Sequence, residues 1–243
     1  MKELMERLIG LGEEFDVMGR VKEGVRDWSG MVGIKKEEDE EEFIRRVVLG
    51  NSLNFNYLEE GIKGLSSNNL WEWVREGMYV EGLNKFNLVE LRKEMYMRCW
   101  YFVNYVYSIG GNLKEEVKRE MFWLKLWEVY GEDVCWKRVN LVRMMLKESG
   151  VEIWDKDKVN VVVDYNLMCV FKYLGVINYE GDFKDKKEGV NLNRMIVYEW
   201  VIGLIEVSGK DESWLDGLMF FVGRKLREKG LVNVCLYNGC IDY

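Results

Sequence analysis

The sequence predicts an all-α protein, and two observations support this fold class. Apolar residues recur at intervals of three and four along much of the chain, as in helices that bury one face in a core. The one strand-like run, residues 159–163, is short and has no second run of the same kind to pair with. Because a lone strand cannot form a sheet, we predict an extended or turned connection there.

Five segments carry the helical pattern most clearly, and glycine and asparagine mark their ends because the chain has no proline. These segments are residues 88–108, 117–129, 139–146, 195–205 and 215–226. Asn87 and Glu90 have the spacing of a capping box, in which a side-chain oxygen accepts from the first amides of a helix. Asn112 and Glu115 repeat this spacing. We expect roughly nine or ten helices in all.

The composition excludes several kinds of catalytic site. The 243 residues include no histidine, so the chain has no Ser-His-Asp or Cys-His couple and no imidazole metal ligand. The five cysteines are scattered and never spaced as C-x-x-C, which argues against a disulfide framework and a zinc site. We therefore expect a reducing, cytoplasmic environment, no metal, and proton transfer by Asp, Glu, Lys, Tyr or Cys.

The charge balance is acidic, with a formal net charge of −7. This balance excludes a surface that is basic throughout, although a local basic face could still bind nucleic acid. The strongest acidic cluster, residues 37–42, precedes a helical pattern, and we interpret it as a solvated helix start. The most apolar stretch, CWYFVNYVYSIG, is shorter than the ~18 residues of a membrane span, so we expect no membrane association.

Three local features contain residues that could carry chemistry. In the first, a helix ends at Gly131, a short hairpin follows, and a second helix begins near Trp136 with Lys137 in its first turn. Helix-start amides and apolar neighbours both disfavour an ammonium, so this amine could act as a nucleophile. The alternative is that Lys137 is an ordinary solvated charge.

The second feature places Asp164 between a valine run and a helical pattern that Gly175 closes. We predict that Asp164 caps this helix by accepting its first amides. A capping carboxylate stays ionised and rigid, so it can also stabilise a cation that develops beside it.

The third feature, residues 214–224, contains Asp216 and Phe220 within an apolar pattern. Such apolar residues are more typical of a core than of a pocket. The simplest interpretation of Asp216 is a first-turn acid after Ser213.

In this order, the three features resemble the archaeal 8-oxoguanine DNA glycosylase/lyase family, a branch of the helix-hairpin-helix glycosylases. Gly131 and Lys137 keep the six-residue spacing between the glycine that ends the family's first hairpin helix and its catalytic lysine. The family's Val-Asp-Tyr element, with its catalytic aspartate, appears at residues 163–165. Its Leu-Asp-x-Leu motif, ending in Gly-Arg, appears at residues 215–218 and 223–224. Asn51, Leu53 and Leu58 match an early family helix more loosely.

The chain departs from the family pattern in three places. The interval between Lys137 and Asp164 is shorter by about one helical turn. The family's base-reading glutamine would fall near Trp28 or Ser29, whereas this chain has no glutamine. The aromatic pair that holds the base would fall on Leu141 and Phe220, of which only the second is aromatic.

The resemblance implies a two-lobed fold in which residues 1–243 form one catalytic unit and residues 118–148 the helix-hairpin-helix element. It implies that Lys137 forms a Schiff base with DNA while Asp164 stabilises the developing sugar cation. The substrate-binding residues it implies are Asp216, Phe220, Leu141, Trp71 and Ser29. The residues it implies for the DNA backbone are Gly131, Trp136 and Arg138.

The implied partner is DNA that contains an oxidised purine or an abasic site, bound by a monomer that needs no cofactor. The main alternative is a helical interaction or regulatory protein with the same skeleton and no activity. An enzyme acting on a small metabolite is less favoured, because the chain has no glycine-rich phosphate loop such as G-x-G-x-x-G.

Overall fold

The computed structural model of the chain describes residues 1–22, 39–53, 100–101, 104–108, 110–130, 135–178 and 186–232. Within these ranges every regular element is helical, which confirms the all-α class. The helices with assigned bounds are α1 (Lys2–Glu14), α2 (Met18–Lys22), α3 (Glu40–Leu53), α4 (Leu113–Glu116), α5 (Glu120–Val129), α6 (Lys137–Glu148), α7 (Tyr165–Tyr173), α8 (Lys186–Ser208) and α9 (Glu212–Glu228). Residues 100–101 and 104–108 are helical as well.

The chain forms two compact units. Unit 1 comprises Met1–Arg26 and Val159–Tyr243, and unit 2 comprises Asp27–Lys158. Within the described ranges, every helix is too short or too polar to span a lipid bilayer.

Unit 1 is organised around the packing of α7 on α9. A glycine permits this close approach, since a Cβ at Gly223 in α9 would overlap the backbone of Asn166 in α7. Helix α1 contacts both α8 and α9, and its buried Leu4, Leu8 and Leu11 recur at the intervals of a core-facing helix.

The valine segment that leads into α7 is an irregular connection, as the sequence predicts. Val161, Val162 and Val163 are buried and belong to no strand. Just before them, the main-chain and side-chain nitrogens of Asn160 donate to the Glu212 carboxylate at 2.7 and 3.1 Å. A buried carboxylate in the first turn of α9 therefore anchors this connection.

Unit 2 is organised around α6, which contacts α3 and α5 and is buried from Lys137 to Leu146. The helical pattern at 117–129 begins earlier than α5 itself, because Arg119 is extended (φ −112°, ψ 137°) and separates α4 from α5. The Asn112 cap is confirmed: its side-chain oxygen accepts from the Glu115 amide at 3.2 Å. Asn87 lies outside the described residues.

The prediction of a solvated helix start at residues 37–42 is wrong for Glu41. Its carboxylate accepts from the main-chain nitrogens of Leu113 and Lys114, each at 2.8 Å. An acidic side chain of α3 therefore binds the amide end of α4, where negative charge is favoured. Glu40, its neighbour, pairs with the Lys114 ammonium at 3.3 Å.

Candidate functional site

Lys137 is the first residue of α6, so this helix begins close to where the sequence predicts. The lysine is only 7% exposed, which makes the alternative of a solvated surface charge wrong. Leu141 follows one turn later, on the same helix face, and is also buried. The Lys137 side chain is therefore removed from bulk solvent.

The residue before the lysine, Trp136, is held on several sides. Its ring stacks on Trp127 with a centroid distance of 5.5 Å and an interplanar angle of 17°. The Lys158 ammonium lies 5.7 Å from the centroid of the same ring. Asn140 donates its main-chain nitrogen to the Trp136 carbonyl at 2.7 Å and its side-chain nitrogen to the Cys135 carbonyl at 3.1 Å.

Arg143, two turns into α6, anchors the segment that follows the helix. Its guanidinium lies 4.9 Å from the Trp123 ring centroid and 5.7 Å from that of Trp154. The same group donates to the carbonyls of Trp154 and Asp155 at 3.0 and 2.8 Å. This buried cation thereby ties the turn at 154–158, which carries Lys158, back onto α6.

Three residues near the start of α6 have a structural role that the sequence does not predict: Trp127, Arg143 and Lys158. A usable signal exists only for the first, because tryptophans on either side of a short hairpin can meet across it. For Arg143 and Lys158, the sequence gives no indication that the turn after α6 folds back onto the helix start.

Arg138, which the resemblance assigns to the DNA backbone, is buried. Its guanidinium donates to the Tyr130 carbonyl at 3.3 Å, so it joins the start of α6 to the end of α5. Helix α5 ends at Val129. Gly131, predicted to end the first hairpin helix, lies outside the described residues.

Asp164 is the N-cap of α7, as the sequence predicts. One carboxylate oxygen accepts from the Leu167 main-chain nitrogen at 2.9 Å, and the other accepts from the Asn166 side-chain amide at 3.1 Å. Gly175, with a φ of 76°, follows the end of the helix and confirms the predicted closure. The carboxylate is half-buried and fixed at both oxygens.

Two groups beside Asp164 stay protonated at neutral pH. Burial raises the pKa of the Tyr165 phenol, and the Arg227 guanidinium lies 4.7 Å from the centroid of its ring. Burial also raises the pKa of the Cys169 thiol to about 11. Neither group is therefore an anionic nucleophile near pH 7.

The first-turn position expected for Asp216 is wrong. Helix α9 begins at Glu212, with Asp211 as its N-cap accepting from the Trp214 main-chain nitrogen at 2.6 Å. Asp216 is thus the fifth residue of the helix, beyond the first turn, and is 3% exposed. Phe220 lies one turn further on and is half-buried.

The predicted site residues divide between the two units. Lys137, its neighbours and Leu141 belong to unit 2, whereas Asp164, Asp216 and Phe220 belong to unit 1. That Lys137 and Asp164 act together, as the resemblance implies, stays a prediction. The remaining predicted or loosely matched site residues, which lie outside the described residues, are Ser29, Leu58 and Trp71.

Asn51, from the early helix that matches the family loosely, is buried in α3. Its side-chain nitrogen donates to the Val47 carbonyl at 2.8 Å and lies 3.3 Å from the Met145 sulfur. In the part of the chain that the structure describes, no cluster of acidic or cysteine residues could hold a metal ion. Cys135 and Cys169 are buried there and form no disulfide.

Comparisons of the chain with protein-family models, with curated proteins and with solved structures found no match. The resemblance to the glycosylase family therefore rests on the residues and spacings of the chain itself.

Proposed function

We propose that this chain is a base-excision DNA glycosylase with lyase activity, which removes an oxidised purine such as 8-oxoguanine through a lysine Schiff base. The observation that carries the proposal is the burial of Lys137 at the start of α6, where the family's catalytic lysine would fall. An amine attacks only in its neutral form, so the proposal requires that the buried Lys137 loses its proton before it attacks.

The reaction begins when the Lys137 amine attacks the sugar C1′. A C–N bond forms, the glycosidic bond breaks, and the base leaves with its electron pair and takes up a proton. Opening of the sugar ring and loss of the amine proton leave an imine between Nζ and C1′. This imine acidifies the C2′ protons, so loss of one of them expels the 3′ phosphate by β-elimination.

Asp164 serves the first of these steps. Its carboxylate stabilises the positive charge that develops on the sugar as the base departs, and it orients or deprotonates the attacking amine. The hydrogen bonds from Leu167 and Asn166 support this role, because they hold both oxygens in place before the reaction begins.

The substrate must be extruded from the duplex, which costs a few kcal/mol and less for a weakly paired lesion. Phe220 would stack on the extruded base, with Leu141 and Trp71 around it. Asp216 would accept from an N–H group of the oxidised purine. Ser29 stands near the position of the family's glutamine, so the base preference of this chain is expected to differ from the family's.

The DNA backbone would be held mainly by main-chain amides. Amides of the hairpin between Gly131 and Trp136, together with the start of α6, can bind a phosphate without a basic surface. This mode of binding is compatible with the net charge of −7. Arg138 would support this site by joining the start of α6 to the end of α5.

Borohydride trapping tests the proposal directly, because it reduces the imine to a stable protein–DNA adduct. We expect the native chain to be trapped on duplexes with 8-oxoguanine or an abasic site, and Lys137→Gln to lower trapping by at least about a thousandfold. Lys147→Gln, in the last turn of the same helix, is the matched control and should be trapped like the native chain.

Two results would contradict the proposal in different ways. If the native chain is not trapped on any member of a lesion panel, the non-catalytic alternative is favoured. If Lys137→Gln is still trapped, the chain is a lyase that uses another amine.

A further inference from the structure

We propose that Trp136 is a positioning residue, whose ring fixes the start of α6 and with it the Lys137 amine. The inference rests on the proposed function and adds a residue that the resemblance assigns only to the DNA backbone. It is carried by the main-chain conformation of Trp136 and by the contacts around its ring.

The main chain of Trp136 is in the left-handed region, with φ 53° and ψ 28°. This region is unfavourable for a residue with a Cβ, and most of all for a bulky one. Of the three described non-glycine residues with positive φ, the other two are Asp16 and Asp155, a residue type that tolerates it. An unfavourable conformation persists only where the surroundings determine it.

The surroundings of Trp136 do determine it. Trp127 stacks on the indole at 5.5 Å and nearly in parallel, and the Lys158 ammonium lies 5.7 Å from its centroid. The Trp136 carbonyl accepts from the Asn140 main-chain nitrogen at 2.7 Å, as the first hydrogen bond of α6. The ring is thus held by α5 and by the turn after α6, while its main chain begins α6.

The turn that carries Lys158 is itself fixed by α6. Arg143 donates to the carbonyls of Trp154 and Asp155, and the Lys158 main-chain nitrogen donates to the Asp155 carbonyl at 3.0 Å. Helix α6 therefore carries Lys137 at its start and Arg143 two turns later. Arg143 holds the turn from which Lys158 reaches the Trp136 ring. Because Trp136 and Lys137 are consecutive, the main-chain conformation of Trp136 sets where the Lys137 side chain begins.

Three substitutions of Trp136 separate the ring from the main chain. Gly accepts the left-handed conformation but has no ring, Leu has neither property, and Tyr keeps an aromatic face. If the ring positions the amine, the single-turnover trapping rate should fall about 10- to 100-fold in Trp136→Gly and Trp136→Leu, and stay within about threefold in Trp136→Tyr. The rate is measured at saturating duplex, so that a change in DNA affinity at this helix start does not enter it.

Two further variants test the contacts themselves. Trp127→Leu removes the stack and leaves Trp136 intact, so it should reproduce the loss of rate even if a Trp136 variant fails to fold. Lys158→Met should lower the rate by a smaller factor, whereas Lys156→Met, an exposed lysine in the same turn, should not. Coupling between the two stacked indoles contributes a circular-dichroism signal, which Trp127→Leu and Trp136→Leu should each remove.

The positioning role is overturned if Trp136→Gly reacts as fast as the native chain, or if Trp136→Tyr loses as much rate as Trp136→Leu. A measurement without DNA tests the positioning role of Trp136 separately from the proposed function. Acylation of Lys137, followed by mass spectrometry with Lys156 as the internal reference, should become faster in the Gly and Leu variants and not in Tyr. Unchanged acylation overturns the positioning role whether or not the chain cleaves DNA.

Discussion

Cys169 is a fully buried residue of α7 whose surroundings favour the thiol over the thiolate. Burial is the main cause of its raised pKa, from an ordinary value of 9.0 to about 11, and the nearby Arg227 acts in the opposite direction. Between these two values the folded chain keeps a proton that the unfolded chain has lost. Cys169 is therefore a structural residue with a measurable effect on stability at alkaline pH.

We expect the free energy of unfolding to fall as the pH rises from about 9 to about 11, because the unfolded state then binds fewer protons than the folded state. The raised pKa of Tyr165 acts in the same direction. Urea unfolding at several pH values measures the loss, and Cys169→Val should make it smaller. At about pH 8, iodoacetamide should alkylate Cys169 only after the chain unfolds. The prediction would be contradicted if Cys169 were alkylated as fast in the folded chain as in the unfolded one. It would also be contradicted if the free energy of unfolding rose over this pH range.

Asp164 has a conformation that the sequence predicts, and Trp136 has one that the sequence does not predict. The cap at Asp164 is local, because its oxygen accepts from an amide three residues later, and the sequence predicts it correctly. The left-handed conformation of Trp136 depends on Trp127 and Lys158, which belong to other elements. No local pattern at Trp136 predicts a conformation that distant side chains enforce.

Among the helices, the contact of α7 with α9 depends on the absence of one side chain. A Cβ at Gly223 would overlap the main-chain carbonyl of Asn166, which cannot rotate away as a side chain can. This gives a packing reason for a glycine at position 223. It also bears on the candidate site, because Asn166 donates to Asp164.

Gly223→Ala should therefore lower the free energy of unfolding by about 1–3 kcal/mol, because α7 and α9 must separate to accept the methyl group. Gly10→Ala is the matched control, since Gly10 is helical, lies in the same unit, and has nothing within 4 Å of an added Cβ. Alanine there should leave stability unchanged or raise it by up to about 1 kcal/mol. Urea unfolding of both variants measures the difference in stability. Equal effects would contradict the prediction, because they would mean that α7 and α9 accept the methyl group without losing packing.

The prediction of elements from the sequence succeeds where the signals are local. The pattern at 139–146 lies within α6, and Asn112 caps α4 as its spacing indicates. It fails where the signal is not local: Val117 fits the stripe of α5, yet this buried residue lies in the turn before that helix. Glu41 likewise has a partner far along the chain, which no helix pattern reveals.

At the scale of the whole molecule, the proposed chemistry needs one residue from each compact unit, Lys137 from unit 2 and Asp164 from unit 1. The chain passes from one unit to the other between Lys158 and Val159. Both sides of this junction are anchored within their own units, through Lys158 over Trp136 and through Asn160 on Glu212. A defect in either unit should therefore impair the reaction, and the two contributions can be tested separately.

Asp164→Asn separates the carboxylate's charge from its role as a helix cap. Asn is as good an N-cap as Asp, so the free energy of unfolding should change by less than about 0.5 kcal/mol. The trapping rate should nevertheless fall by about 10²- to 10⁴-fold, because a neutral amide neither stabilises the sugar cation nor accepts the amine proton. Asp211→Asn is the matched control: Asp211 caps α9 in the same unit and accepts from the Trp214 main-chain nitrogen, so both quantities should stay unchanged. If Asp164→Asn is trapped at the native rate while Lys137→Gln is not, Asp164 is a cap alone, and the carboxylate that the reaction needs belongs to another residue.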